Sequence, residues 1–124
     1  MSKSLGFVYL RKRSSSKKGK KRMLEQRIEE YLVEKIIALG GKCIKINSPT
    51  TRGLPDRLVI RDGIHIWIEL KSSVGKVRAY QRHMHTQLRN VGANVRVINS
   101  KGGVDDLCLE LLSLSTNKKL RNMF

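Results

Sequence analysis

The chain has 124 residues, 40% of them hydrophobic, enough for one domain around one modest core. Lysine and arginine outnumber aspartate and glutamate by 26 to 10, giving a formal net charge of +16 and an isoelectric point near 10.5; this points to a polyanionic partner, nucleic acid ahead of an anionic membrane. No apolar run approaches the ~18 residues of a transmembrane helix, the N-terminus lacks the apolar stretch of a secretory signal, and Cys43 and Cys108 form no CxxC, so free thiols in a reducing cytoplasm are expected rather than a zinc site or disulfide.

Residues 1–22 contain nine basic residues and no acid. With the low-complexity stretch Ser14 to Gly19 they predict a disordered basic arm. It is either a nucleic-acid-binding arm or a non-native extension, because Met23 offers an alternative start. Residues 23–124 still carry a net +7. Leu24, Ile28, Leu32, Ile36 and Leu39 recur at helical spacing and predict a helix over 24–39, ended by Gly40-Gly41. Glu25 lies in its first turn; taken alone, it complements the helix dipole. Residues 42–47 predict a strand, and a loop from Ser48 to Pro55 carries Arg52 and Gly53. Residues 56–61 and 64–71 predict a hairpin about Asp62-Gly63, a strong turn signal. A polar, basic loop runs to Arg78. Residues 79–91 predict a second helix with Tyr80, Met84, Leu88 and Val91 as its apolar face. A strand follows at 94–99 and a terminal helix at 103–114, through Val104, Leu107, Cys108, Leu111 and Leu112. Residues 116–124 read as a basic tail. This order, αβββαβ and then a helix, predicts an α/β fold with a mixed central sheet flanked by helices.

The hairpin carries the chemistry. Strand side chains alternate, so Ile64, Ile66, Ile68 and Leu70 share one face and His65, Trp67, Glu69 and Lys71 the other. Antiparallel pairing brings Asp56, at the start of the first strand, beside Glu69 and Lys71 at the end of the second. Two carboxylates about 4 Å apart repel by roughly 4 kcal/mol at an effective dielectric near 20. A hard divalent cation, Mg²⁺ or Mn²⁺, removes that repulsion and takes its remaining oxygens from water and phosphate. Such an ion activates water and polarises a phosphoryl group, and Lys71 stabilises the charge that develops. A surface Asp and an exposed Glu–Lys pair are the bland alternative. His83 and His85, two apart on a helix, point to different sides and with His65 form no convincing zinc set. Trp67 is expected to be core beneath the first helix, and Tyr80 to be core or gating.

Pro55-Asp56 with Glu69-Leu70-Lys71 resembles the PD-(D/E)xK motif of restriction-endonuclease-like nucleases. More closely, the chain resembles the virus-type replication–repair nuclease family (VRR-NUC). Glu25, Gly53-Leu54-Pro55-Asp56, Ile68-Glu69-Leu70-Lys71, Gly75, Tyr80-Gln81 and Gly92-Ala93-Asn94-Val95 carry the resemblance, over roughly residues 23 to 101. It implies a restriction-endonuclease-like core over residues 23–115. Asp56, Glu69 and the Leu70 carbonyl would be metal ligands, joined by Glu25 directly or through water. Lys71 would be the catalytic lysine and Gln81 a helix-borne residue supporting the site. The implied activity is Mg²⁺-dependent DNA endonuclease in an intracellular, viral or bacterial setting.

Lys42, Lys45, Arg52, Arg57, Lys76, Arg78 and Arg82 lie on elements entering the site end and are candidate phosphate contacts. Such contacts position a duplex without reading its sequence. No base-reading module is visible, so recognition by DNA structure is expected. Stand-alone members of the family are dimeric and act on four-way (Holliday) junctions, whereas members embedded in larger proteins act on flaps. A homodimer cutting four-way junctions is therefore expected, joined through Leu109, Leu111, Leu112 and Leu114. The competing readings are a flap-type nuclease, a non-catalytic nucleic-acid-binding protein and a basic ribosome-associated protein. The last two explain the charge but not acids clustered with Lys71.

Overall fold

The computed structural model describes residues 17–123. Ile28, Leu32 and Ile36 line one side of helix α1 (Lys17–Ala38) and are buried. That four-residue spacing keeps them on one helical face. They pack with Val59 of β2 (Arg57–Arg61), with Ile66, Ile68 and Leu70 of β3 (Ile64–Leu70), and with Ile98 of β4 (Val95–Ile98). Val104, Leu107 and Leu111 of the last helix, α3 (Lys101–Met123), complete the core. Strand β1 (Lys42–Lys45) forms one edge, and α2 (Ala79–Asn90) links β3 to β4. No helix among the described residues is long and apolar enough to cross a membrane.

The sheet runs β1-β2-β3-β4. The first three strands are antiparallel, and β4 is parallel to β3, with Glu69 opposite Val97 and Leu70 opposite Ile98. A mixed sheet with helices around it is the α/β, restriction-endonuclease-like arrangement expected. The β2–β3 turn forms as Asp-Gly dictates: Asp62 and Gly63 both have positive φ, 51° and 76°. Its register puts Arg57 opposite Ile68, so Asp56 arrives beside Glu69.

The structure corrects several element boundaries. Helix α1 begins at Lys17, inside the stretch expected to be disordered; residues 1–16 of that stretch lie outside the described residues. Residues 17–22 have no apolar residue, so periodicity could not reveal this start. Leu24, expected in the buried stripe, is exposed. Helix α3 continues to Met123, through residues expected as a tail. The next inward position after Leu111 is Ser115, a buried serine held by Arg61 Nη1 at 2.7 Å. Lys118 Nζ then donates to the Asp62 carbonyl at 2.8 Å. Polar anchors continue this face where apolar ones stop.

Trp67 is also corrected. Helix α1 packs on the Ile66, Ile68 and Leu70 face. Trp67 shares the opposite face with Glu69, which meets α2, and it is half-buried.

Candidate active site

Three elements meet where the hairpin ends. Asp56 precedes β2 and is held twice: its carbonyl accepts from Ile46 N, and its Oδ2 accepts from Leu70 N at 2.8 Å. That second bond ties the first carboxylate to the backbone between Glu69 and Lys71. Glu69 is 1% exposed. Its Oε2 accepts from Gln81 Nε2 at 2.9 Å and faces Lys71 Nζ at 3.3 Å. Lys71 is itself largely buried, its backbone N–H donating to the Ile98 carbonyl.

Gln81 does two jobs. Its Oε1 accepts from Arg78 N at 2.9 Å, closing the first turn of α2, while its Nε2 holds Glu69. Satisfying an otherwise unpaired N–H at the helix start therefore also orients the amide toward the carboxylate. Glu25 reaches the same end from α1: its Oε1 accepts from Ser72 N at 3.4 Å. A cleft of about 350 Å³ is lined by Arg22, Glu25, Gln26, Glu29, Lys45, Asp56 and Leu70. A Cβ at Gly75 would stand 3.3 Å from Ser72 Oγ, 3.4 Å from Glu25 Oε1 and 2.9 Å from Lys21 Cε, so glycine lets the 71–78 loop pass close to this corner. Gly53, at φ +84°, has the same use on the other side: a Cβ there would meet the Tyr80 carbonyl at 2.8 Å. The loop preceding Asp56 is thus pinned against the start of α2.

Electrostatics match the crowding. Burial and the charge of Asp56 push the Glu69 carboxyl up to about 7, with Lys71 and Gln81 only partly opposing them. Burial also raises the Asp56 carboxyl, against the Leu70 hydrogen bond. Without a cation, the site therefore shifts both carboxyls toward their protonated forms.

The residues suit a hard divalent cation. Glu69 Oε1 is buried without a hydrogen-bond partner, and the donors on hand are carboxylate oxygens. No three His, Cys, Asp or Glu groups among the described residues converge into a complete metal cage. Mg²⁺ asks for less, one or two carboxylates with water and substrate phosphate, which Asp56 and Glu69 provide.

The expected phosphate contacts divide. Lys42, Arg52, Lys76, Arg78 and Arg82 are exposed. Arg52 lies over the Tyr80 ring, 4.2 Å from its centroid, and Arg82 donates to the Val77 carbonyl. Arg57 is part-buried, donating to Glu29 Oε2 at 2.7 Å and to the Cys43 carbonyl. Lys45 also pairs with Glu29, at 2.8 Å, yet its side chain remains 59% exposed. Burial alone would raise Glu29, but Lys45 and Arg57 outweigh it and hold the carboxyl below its usual range.

Two residues were not foreseen. Glu29 has this ion-pair role because it lies one turn beyond Glu25 on α1. His85 is the buried residue of α2, 2% exposed, where an apolar Tyr80–Met84–Leu88–Val91 face was expected; Tyr80 and Val91 are exposed. The available signal was its spacing of four from Gln81, which puts both on one helical face.

No family model matches the chain. Over 78 residues it is 38% identical to a protein of Acyrthosiphon pisum secondary endosymbiont phage 1 described as "Putative nuclease p44", covering 62% of this chain and 84% of that one. A solved structure described as a VRR_NUC domain superposes with a TM-score of 0.62 at 35% identity, over 67% of this chain and 91% of the other. The chain belongs to the VRR-NUC family. VRR-NUC domains are nuclease domains, and this member has the family's fold, with the β2–β3 hairpin presenting Asp56, Glu69 and Lys71 together at one end of the sheet.

Proposed function

We propose that this VRR-NUC protein is a divalent-metal-dependent DNA endonuclease that hydrolyses phosphodiester bonds at four-way junctions as a homodimer. The observation that carries the catalytic part is Glu69: a buried carboxylate, gripped on Oε2 by Gln81 and Lys71, beside Asp56, with Oε1 unpartnered. A protein that only bound DNA would gain nothing by burying acids within a basic surface. Asp56, Glu69 and the Leu70 carbonyl, with Glu25 directly or through water, would hold Mg²⁺ or Mn²⁺. When bound, the ion supplies Lewis-acid activation of water and of the scissile phosphate.

The chain's own groups do the rest. Leu70 N–H fixes Asp56, and Gln81 fixes Glu69. Lys71 Nζ, 3.3 Å from Glu69, is placed to orient the attacking water and to stabilise the negative charge that grows on the phosphoryl oxygens. Lys42, Lys45, Arg52, Lys76, Arg78 and Arg82 hold the DNA backbone and set its path without reading bases.

One such site cuts one strand. Paired cuts across a symmetric junction need two sites related by a two-fold axis, which a C₂ homodimer supplies. The outer side of α3 supports the pairing: Leu109, Leu112, Leu120 and Met123 are exposed on one helix. Leu111, expected in that surface, is instead fully buried, and Leu114 is half-buried. The test compares four-way junction, flap and linear DNA in Mg²⁺ and in EDTA, with light scattering at micromolar protein. Junction cutting by a dimer, abolished by EDTA, is expected. A monomer preferring flaps would overturn the junction reading, and no cutting of any DNA would overturn the catalytic one.

A further inference from the structure

His85 has no part in the chemistry proposed for Asp56, Glu69 and Lys71, yet it is one of the most buried polar side chains of the protein. Its Nε2 stands 3.8 Å from Glu69 Oε1, and neither atom has a hydrogen-bond partner. That distance exceeds a hydrogen bond by less than an ångström. Two unsatisfied polar atoms facing one another in a protein interior are rare, and here they belong to a donor and an acceptor. With a cation bound Glu69 is a carboxylate and can only accept, so a hydrogen bond across this gap requires the imidazole proton on Nε2.

The two oxygens of Glu69 are thus treated differently. Gln81 and Lys71 hold Oε2, and His85 faces Oε1. Gln81 and His85 are four residues apart on α2, so one helix face addresses both oxygens. We infer that His85 is a positioning residue that donates a hydrogen bond from Nε2 to Glu69 Oε1, fixing the plane of the carboxylate in its metal-binding orientation. A ligand free to rotate about its last torsion would lose affinity; one held on both oxygens is preorganised. Partners that orient metal ligands typically change metal affinity by about 10–100-fold when removed.

This inference rests on the metal-dependent reading of the site. The test uses the full chain with His85→Gln, which keeps a donor, and His85→Met, which has similar length and none. The first readout is the Mg²⁺ concentration giving half of the metal-induced rise in melting temperature, without DNA. The second is kcat and KM for plasmid nicking. His85→Met is expected to raise the metal midpoint about 10–100-fold, and to lower kcat at fixed Mg²⁺ while KM for DNA stays within about two-fold. His85→Gln is expected to recover most of the metal midpoint. A purely packing role would leave both variants with the wild-type midpoint, whatever their melting temperatures, and that result overturns the inference alone. A wild-type chain with no metal-induced shift overturns this inference together with its parent reading. Should His85→Met not fold, His85→Leu takes its place in the same comparison.

Discussion

Glu69 is pulled in two directions, by burial and the Asp56 charge on one side and by Lys71 and Gln81 on the other. Its folded pKa of about 7 lies above the unfolded value of 4.5. The fold therefore favours the protonated form, and this contribution is complete below about pH 4.5 and lost as pH rises through about 7. Glu69→Gln mimics the protonated state at every pH. In metal-free buffer it should melt at nearly the wild-type temperature at pH 4.5, and several degrees above it at pH 8. A shift of this size corresponds to about 3 kcal/mol. Thermal unfolding at both pH values checks this, and a gap that does not widen with pH contradicts it. For chemistry, Asp56→Ala, Glu69→Ala and Lys71→Ala should each lower cleavage by two or more orders of magnitude, about the cost of losing one preorganised charge-stabilising group. DNA affinity should change little, because it comes from many phosphate contacts. Single-turnover cleavage beside a filter-binding titration separates the two effects.

At the scale of elements, the hairpin was the most legible part of the sequence. Asp62-Gly63 fixes its turn, the turn fixes its register, and register plus two-residue alternation brings Asp56, Glu69 and Lys71 together. Gln81 was legible only by resemblance, since its hydrogen bond to Glu69 depends on how α2 docks. The same docking hid His85 and misplaced Trp67: alternation says which residues share a face, not which helix covers it. The helix ends were hidden because their anchors are polar. Arg61 shows how much such an anchor contributes, donating to the Leu39 carbonyl at 2.9 Å and to Ser115 Oγ at 2.7 Å. Arg61→Met should cost about 1–3 kcal/mol, the penalty for stranding buried partners, and hydrogen exchange should show the second half of α3 opening first. At the other end, Lys20, Lys21 and Arg22 extend α1 beside the cleft. Replacing all three with alanine should weaken DNA binding and lower the slope of log K against log salt by about 0.9 for each phosphate no longer neutralised. A slope equal to that of the wild type would remove them from the DNA path.

At the scale of the whole molecule, a +16 chain with a nuclease fold nevertheless buries one carboxylate, Glu69, beside Asp56. Assembly is testable on α3 alone. Leu109→Asp with Leu112→Asp should give a folded monomer with reduced paired cutting of four-way junctions, because both residues are exposed. Leu111→Ala should instead lower stability by about 2–5 kcal/mol, as a buried leucine does, without changing the mass of the particle that folds. The central claim, that Asp56, Glu69 and Lys71 form a metal-dependent catalytic site, is tested most directly by nicking of supercoiled plasmid by wild type and Lys71→Ala, in Mg²⁺ and in EDTA, at protein concentrations that saturate the DNA. Nicking by the wild type only in Mg²⁺, with none by Lys71→Ala while both proteins remain bound, is the predicted result. Nicking by Lys71→Ala at the wild-type rate, or by the wild type in EDTA, would contradict it.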